Sequence, residues 1–304
     1  MSAPAAIPLL AIRGDPQWLK RPTIAIVGSR EGSASALMFA ERIAADLGEA
    51  GFTIVSGLAR GVDASAHKGA LNTGTVGVLA GGLDLSVGAV MTLVNCVASH
   101  LIDGSAPAML GGVVVCLATG ALAGFVNGCV VVYGRLQPII ATLATGAVYL
   151  GLALYLRPTP GGEIDKDLAW ALTNDLYELA STYGWFDGGD AAWFQPIAWI
   201  PVPLILIVLV VVLVWLPFRA TVTGRNVYAV GSNEQAAFMS GLAVDHARLA
   251  AFTLAGFFAG VGGLYLAIQT SSGNADVPQA GSYTLNSIAA VVIGGTSLSG
   301  GTGT

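Results

Sequence analysis

Charge is scarce in this sequence. Only 10% of its 304 residues are Asp, Glu, Lys or Arg, against about a quarter in an ordinary soluble domain. Mean hydropathy is +0.72. The shortage is uneven. Residues 1–83 carry seven Lys/Arg and six Asp/Glu, whereas residues 84–304 carry six and twelve. Water is therefore the expected solvent of the first part, and lipid of most of the second. Cysteine is nearly absent as well. Cys96, Cys116 and Cys129 lie in apolar stretches, and no two have C-x-x-C spacing. That argues against a disulfide framework or a zinc site, and the three read as small buried hydrophobes. Residues 1–12 have no basic flank ahead of their apolar residues, unlike a secretory signal. Neither G-x-G-x-x-G nor G-x-x-x-x-G-K-[ST] occurs, so a dinucleotide or NTPase site has no fingerprint. Nothing supports a hydrolase, redox or metal enzyme. The expectation is a non-enzyme with no cofactor and no metal.

What is present begins with a soluble α/β pattern. Thr23–Val27 is a short β-branched run that ends in Gly28-Ser29-Arg30. From Ser33 to Gly48 the apolar residues Leu37, Ile43, Ala44 and Leu47 recur at helical spacing. Phe52–Val55 and Thr75–Leu79 read as further strands, with a helix from Ala64 to Leu71 between them. Strand, helix, strand, helix, strand predicts parallel pairing and a Rossmann-like start. Gly28 and Gly57 follow strands, where glycine either exposes N–H groups to an anion or only closes the turn. His67 reads as a capping or packing residue, because no nucleophile partners it in sequence.

Ile24-Ala-Ile-Val-Gly-Ser-Arg30, Val55-Ser-Gly-Leu-Ala-Arg-Gly-Val-Asp63 and Ala66-His-Lys-Gly-Ala-Leu71 resemble the DNA-processing protein DprA over residues 8–84. Members of that family bind single-stranded DNA. The resemblance implies that Gly28, Ser29, Arg30, Gly57, Arg60 and Lys68 contact a phosphate backbone. The segment's near-zero charge gives little pull on DNA, so nucleic acid is not the expected partner.

From Leu85 the chain reads as membrane spans: 85–102, 108–133, 138–156, 199–218 and 249–268, with a partial one over 285–304. Five spans plus a stub predict a helical bundle, since helices satisfy their own backbone in lipid. Gly120, Gly124 and Gly128, and Gly256 and Gly260, allow close helix approach. Arg135, Arg219, Arg225 and Arg248 place the 134–137 and 219–248 connections in the cytoplasm. Seven acids against Arg157 and Lys166 place 157–198 outside. The N-terminal segment is then cytoplasmic. Leu168, Leu172, Leu176, Leu179 and Tyr183 form one stripe, which predicts a single amphipathic helix. Glu234, Ala236, Ala237 and Gly241 suit a short helix ended by a glycine turn. By chemistry alone it is a docking knob or a plain connecting loop.

Four stretches resemble the permease subunits of ribose-type sugar ABC importers, a binding-protein-dependent transport permease family. They are Gly82–Gly88, Arg135–Leu143, Tyr228–Gly241 and Ile288–Gly301. The resemblance covers residues 82–304. It implies a permease in the bacterial plasma (inner) membrane that works as a homodimer with a second copy. A cytosolic ABC ATPase subunit and a periplasmic sugar-binding protein are the further partners, with membrane lipid around it. Coupling to the ATPase falls on Gly231, Asn233, Glu234, Ala236, Ala237 and Gly241. Asp84, Ser86, Asn127, Gln137 and Thr142 are candidates for the transport pathway, since polar groups at membrane depth face the bundle interior. Hydrogen bonding between helices is the other role open to each.

The fold expected is a mostly α-helical multi-span membrane protein with a small N-terminal Rossmann-like fragment. Its domains are 1–84, a partial DprA-like segment, and 85–304, a truncated importer permease domain. The alternatives are a DprA-like single-strand-binding fragment, or a chimeric reading frame without function, joined at Gly81–Asp84 where both patterns meet.

Overall fold

A computed structural model describes residues 15–29, 32–57, 61–77, 83–184, 195–232 and 234–294. The chain divides between Gly81 and Gly82 into two compact units.

Among the described residues, the first unit holds three parallel strands, β1 (Thr23–Ala25), β2 (Thr53–Ser56) and β3 (Thr75–Gly77), in the order β1-β2-β3. Thr23 is in register with Thr53, and Ile54 with Thr75. Parallel neighbours need crossovers, and α1 (Ala34–Glu49) and α2 (Val62–Gly69) supply them. The Ser33 hydroxyl caps α1 by accepting from Ala36 N–H at 3.3 Å. α2 starts two residues before the expected Ala64. Gly61 turns the chain at φ 85°, and Asp63 fits the first helical turn, where a carboxylate is favoured. The core is small: Ala44, Ile54, Ala66 and Ala70, with Ile26 and Leu47 packed on it.

The second unit is helical. Its elements are α3 (Val87–Leu101), α4 (Ala106–Val132), α5 (Pro138–Leu156), α6 (Lys166–Thr173), α7 (Leu176–Thr182) and α8 (Gln195–Ala198). α9 (Val202–Val210), α10 (Leu216–Ala220), α11 (Val222–Ser232), α12 (Glu234–Met239), α13 (Val244–Thr270) and α14 (Val277–Ile293) follow. α4, α5, α9 and α14 each begin with a proline in the first turn. Proline presets φ and has no N–H to leave unsatisfied there.

Among the described residues, four helical segments are long and apolar enough to cross a membrane: α4, α5, residues 202–220 and α13. α3 is apolar but has fifteen residues. At ~1.5 Å per residue that is about 22 Å, short of a ~30 Å hydrocarbon core. Between α9 and α10 lies a π-helical turn, Val211–Trp215, in which Leu216 N–H reaches back to Val211 O. Pro217 explains it: the proline has no N–H for the Leu213 carbonyl, and its ring crowds the preceding turn.

The single stripe expected from Leu168 to Tyr183 is two helices. Asp165 caps α6 through Leu168 N–H and Asp175 caps α7 through Glu178 N–H, at 2.8 and 2.9 Å. A capping carboxylate with extended backbone at Asp175 starts a new helix and breaks the periodicity. Likewise α14 begins at Val277, eight residues ahead of the expected Leu285, because Asp276-Val-Pro278 is a helix start.

Packing rests on close backbone approach. α4 and α13 meet through glycines: a Cβ on Gly256 would lie 2.6 Å from Gly124 Cα, and one on Gly120 2.7 Å from Gly260 Cα. Ten of the fifteen residues of α3 are buried, so α3 is the interior helix of this unit. Replacing Gly256 by Leu should therefore break the α4–α13 contact. Overpacking of this kind costs ~1–3 kcal/mol or more, read as loss of monodisperse protein on heating in detergent. Gly111 has open space around its Cα, and Gly111→Leu should leave that profile unchanged.

Candidate functional site

α3 starts inside the bundle, and Ser86 at its N-cap is fully buried. A helix start leaves its first N–H groups without intrahelical partners, and an apolar bundle offers little water to satisfy them. Side chains from three directions do so here. Asp84 Oδ1 accepts from Ser86 N–H at 2.8 Å. Thr142 Oγ1, on α5, accepts from Leu85 N–H at 2.9 Å. Thr284 Oγ1, on α14, accepts from Gly88 N–H at 3.0 Å.

The same groups form a connected network. Ser86 Oγ donates to Asp84 Oδ1 at 2.7 Å and accepts from Asn127 Nδ2 at 2.7 Å. Asn127 Nδ2 also lies 3.4 Å from Asp84 Oδ2. The Tyr149 hydroxyl sits between Ala123 O, at 2.9 Å, and Asn127 Oδ1, at 3.1 Å. The Asp84 carboxyl stands beside the N-terminal end of α3, the end of a helix that favours anions. Four of the five expected pathway residues, Asp84, Ser86, Asn127 and Thr142, thus meet at one point. Gln137 does not join them; it is the half-buried N-cap residue of α5.

A second polar cluster holds the other end of α3. Asn95 Oδ1 accepts from Asn274 N–H at 2.7 Å, and its Nδ2 donates to Ser272 O at 3.3 Å. Arg157 donates through Nε to Ser99 Oγ and through Nη2 to Ser99 O, both at 2.8 Å. Gly161 and Gly273 exchange backbone hydrogen bonds at 3.0 and 2.8 Å, which joins the turns after α5 and α13.

The 219–248 connection is helical over most of its length. Gly231 lies near the end of α11, Asn233 lies outside the described residues, and Glu234 opens α12 and pairs with Arg248. Ala237 is buried. Phe238 and Met239 are 69% and 81% exposed. Ala236 is exposed, and Gly241 ends the turn at φ 78°. A cleft of about 730 Å³ opens beside Glu234, Phe238, Leu242 and His246.

In the first unit, Gly28 N–H donates to the buried Asp63 Oδ1 at 3.3 Å. A Cβ on Gly28 would meet Val62 at 2.8 Å, so this glycine permits a close approach. Ser29 O accepts from Val62 N–H at 3.1 Å. A Cβ on Gly57 would stand 3.1 Å from Asp63 Oδ2. Lys68 pairs with Glu41 at 2.9 Å. Arg30 and Arg60 lie outside the described residues. Asp63 therefore places a carboxylate where the resemblance expects a phosphate.

Comparison with known proteins bears on both units. The family described as "Branched-chain amino acid transport system / permease component" matches residues 74–302. The chain belongs to this permease family. Residues 2–94 match a second family, "DNA recombination-mediator protein A", so the two matches share residues 74–94. The permease region is similar to the ribose import permease protein RbsC of Bacillus subtilis (strain 168). The two are 38% identical over 228 residues, 74% of this chain and 64% of that protein. RbsC of Escherichia coli (strain K12) is 34% identical over 231 residues, 75% of this chain and 65% of that protein. The D-allose transport system permease protein AlsC of the same strain is 34% identical over 233 residues, 74% and 63%. This chain thus spans just under two thirds of the length of these relatives. No solved structure matches it.

Sequence reading of the permease missed Tyr149, Thr284, Ser99 and Arg157. Tyr149 and Thr284 are polar groups within apolar helices, a signal that was available. Their partners lie up to 199 residues away, which spacing along the chain does not show. Asn127 is the hub of the network, so Asn127→Ala should leave Ser86 Oγ, Asp84 and Tyr149 short of partners. The expected cost is ~1–3 kcal/mol, or roughly 5 °C in Tm, measured by thermal denaturation in detergent. Gln137→Ala should change Tm by less than about 1 °C.

Proposed function

We propose that residues 85–304 form the transmembrane permease domain of a ribose-type sugar ABC importer in the bacterial plasma membrane. The family match over residues 74–302, which contain both the α3 network and α12, together with the similarity to two ribose permeases and an allose permease, carries this reading. In it, α4, α5, residues 202–220 and α13 cross the membrane, residues 85–102 with the shorter α3 are a fifth span that starts inside the bundle, and α14 opens a sixth. The 134–137 and 219–248 connections and the N-terminal unit face the cytoplasm, and 157–198 faces outward. The domain pairs with a second copy, receives sugar from a periplasmic binding protein and takes its motion from a cytosolic ATPase subunit.

Each candidate residue then has a role. Asp84, Ser86, Asn127 and Thr142 hold the buried start of α3 beside the transport pathway, and Gln137 stands at the mouth of α5. Gly231, Asn233, Glu234, Ala236, Ala237 and Gly241 shape the knob that couples to the ATPase. Exposed Phe238 and Met239 support this, since an apolar pair on a short cytosolic helix is suited to a groove in a partner.

Two other readings rest on the first unit. Its match to the recombination mediator favours single-stranded DNA binding. The Gly28–Asp63 and Lys68–Glu41 contacts oppose that, because a phosphate would have to displace a carboxylate from each. The overlap of the two family matches at residues 74–94 supports a joined reading frame.

Co-expression with a sugar-importer ATPase subunit tests the main reading. The detergent-solubilised chain should co-purify with the ATPase. Glu234→Arg, which sets two arginines face to face at Arg248, should lower recovery at least ~10-fold, as loss of ~1.4 kcal/mol or more would. Unchanged recovery would remove the coupling role from α12.

A further inference from the structure

A second cleft, distinct from the α3 network, lies between α4, residues 202–220, α11 and α13. Its volume is about 560 Å³, within the ~300–1,000 Å³ of small-molecule sites, and its walls include Phe125, Phe218, Leu254 and Phe257. Of its polar lining residues, Thr223 and His246 stand where α11 begins and α13 starts, and Thr253, farther along α13, spends its hydroxyl on Leu249 O at 2.8 Å. From His246 to Phe257 along α13 is eleven residues, about 16 Å at ~1.5 Å each. That is half of a ~30 Å hydrocarbon core, the depth of a single leaflet. The cleft is thus apolar over one leaflet's depth and polar at the surface end.

Charge at the polar end has a sign. Arg219 follows the wall residue Phe218, and its guanidinium lies 5.7 Å from the Tyr228 ring centroid. Arg225 stands two residues past Thr223, and both arginines are exposed. Of the two carboxylates in this connection, Glu234 is neutralised by Arg248 and Asp245 adjoins His246. The 219–248 connection, three arginines against two carboxylates, therefore keeps a basic excess beside the cleft's polar end. Basic pockets between spanning helices at the cytoplasmic surface bind anionic headgroups.

We propose that this cleft is a binding site for an anionic phospholipid, with one acyl chain between α4 and α13 and the phosphate beside Arg219 and His246. The lipid fills a gap that helix packing leaves open. It joins residues 202–220, the least buried of the four candidate spans, to the rest of the unit. The inference does not depend on the importer reading.

Native mass spectrometry of the full chain in detergent tests it, with dioleoyl-phosphatidylglycerol and dioleoyl-phosphatidylcholine as probes. The expected result is one saturable adduct, held about fivefold more tightly for the glycerol lipid, the factor that ~1 kcal/mol from one basic side chain gives. Arg219→Gln, at an exposed position that folding tolerates, should erase that preference. Ala250→Phe, which fills the cleft, should remove the saturable adduct for both lipids. Equal retention of the two lipids by the unaltered chain would overturn the proposal. So would many non-saturable adducts, or a dimer without lipid. An Ala250→Phe chain that elutes as a single species and still holds the adduct would also overturn it. If that variant does not fold, the Arg219→Gln comparison decides alone: a preserved preference overturns the proposal, and an erased one supports it.

Discussion

A helix that begins inside an apolar bundle must bring its own hydrogen-bond acceptors. α3 is such a helix, and the architecture around it follows from that need. The N–H groups at and just before its start are met by Thr142 from α5 at Leu85, by Asp84 from the preceding turn at Ser86, and by Thr284 from α14 at Gly88. Each acceptor comes from a different element, so the start of α3 fixes where those elements stand. Asn127 then ties α4 to the same point through Ser86 and Asp84. Leaving a buried donor unmade costs ~1–3 kcal/mol, enough to select one arrangement among helices whose apolar surfaces are otherwise interchangeable.

Close packing makes the network possible. In lipid no hydrophobic force drives helix against helix, so van der Waals contact and hydrogen bonds must do it. Glycines let the α4 and α13 backbones touch, and the same device brings α13 to α3 at Gly263 and α14 to α3 at Gly88. A side chain at any of these positions would push the helices apart and stretch hydrogen bonds that now measure 2.7–3.0 Å. At the far end of α3, Asn95 and Arg157 secure the turns after α13 and α5 in the same way. The interior helix is thus held at both ends by polar contacts and along its length by small residues.

Much of this was legible in the sequence, for reasons that can be named. Asp84, Ser86, Asn127 and Thr142 stand out as polar groups in apolar surroundings, and such groups seek each other. The sheet of the first unit follows from β-branched runs spaced by helical patterns, and Ser33 marks the start of α1. What escaped was non-local or hidden by a competing signal. Thr284 serves a helix start nearly two hundred residues earlier. The Leu168–Tyr183 periodicity concealed a break, because Asp175 caps a new turn more strongly than the apolar stripe continues the old one. Residues 199–218 read as one uninterrupted span, and the π turn ahead of Pro217 is a matter of backbone geometry that the apolar run hides. Gln137 shows the limit of the rule, being polar at a helix start yet apart from the network.

The most direct measurement is the sidedness of two exposed positions, Thr159 after α5 and Met239 in α12. In a chain with Cys96, Cys116 and Cys129 replaced by alanine, Thr159→Cys and Met239→Cys are labelled separately with a membrane-impermeant maleimide. The account predicts that position 159 reacts in intact cells, and that position 239 reacts only when the cytosolic face is opened. Reaction of both positions from one side would contradict a membrane-spanning segment at residues 202–220, and with it the bundle that buries the start of α3.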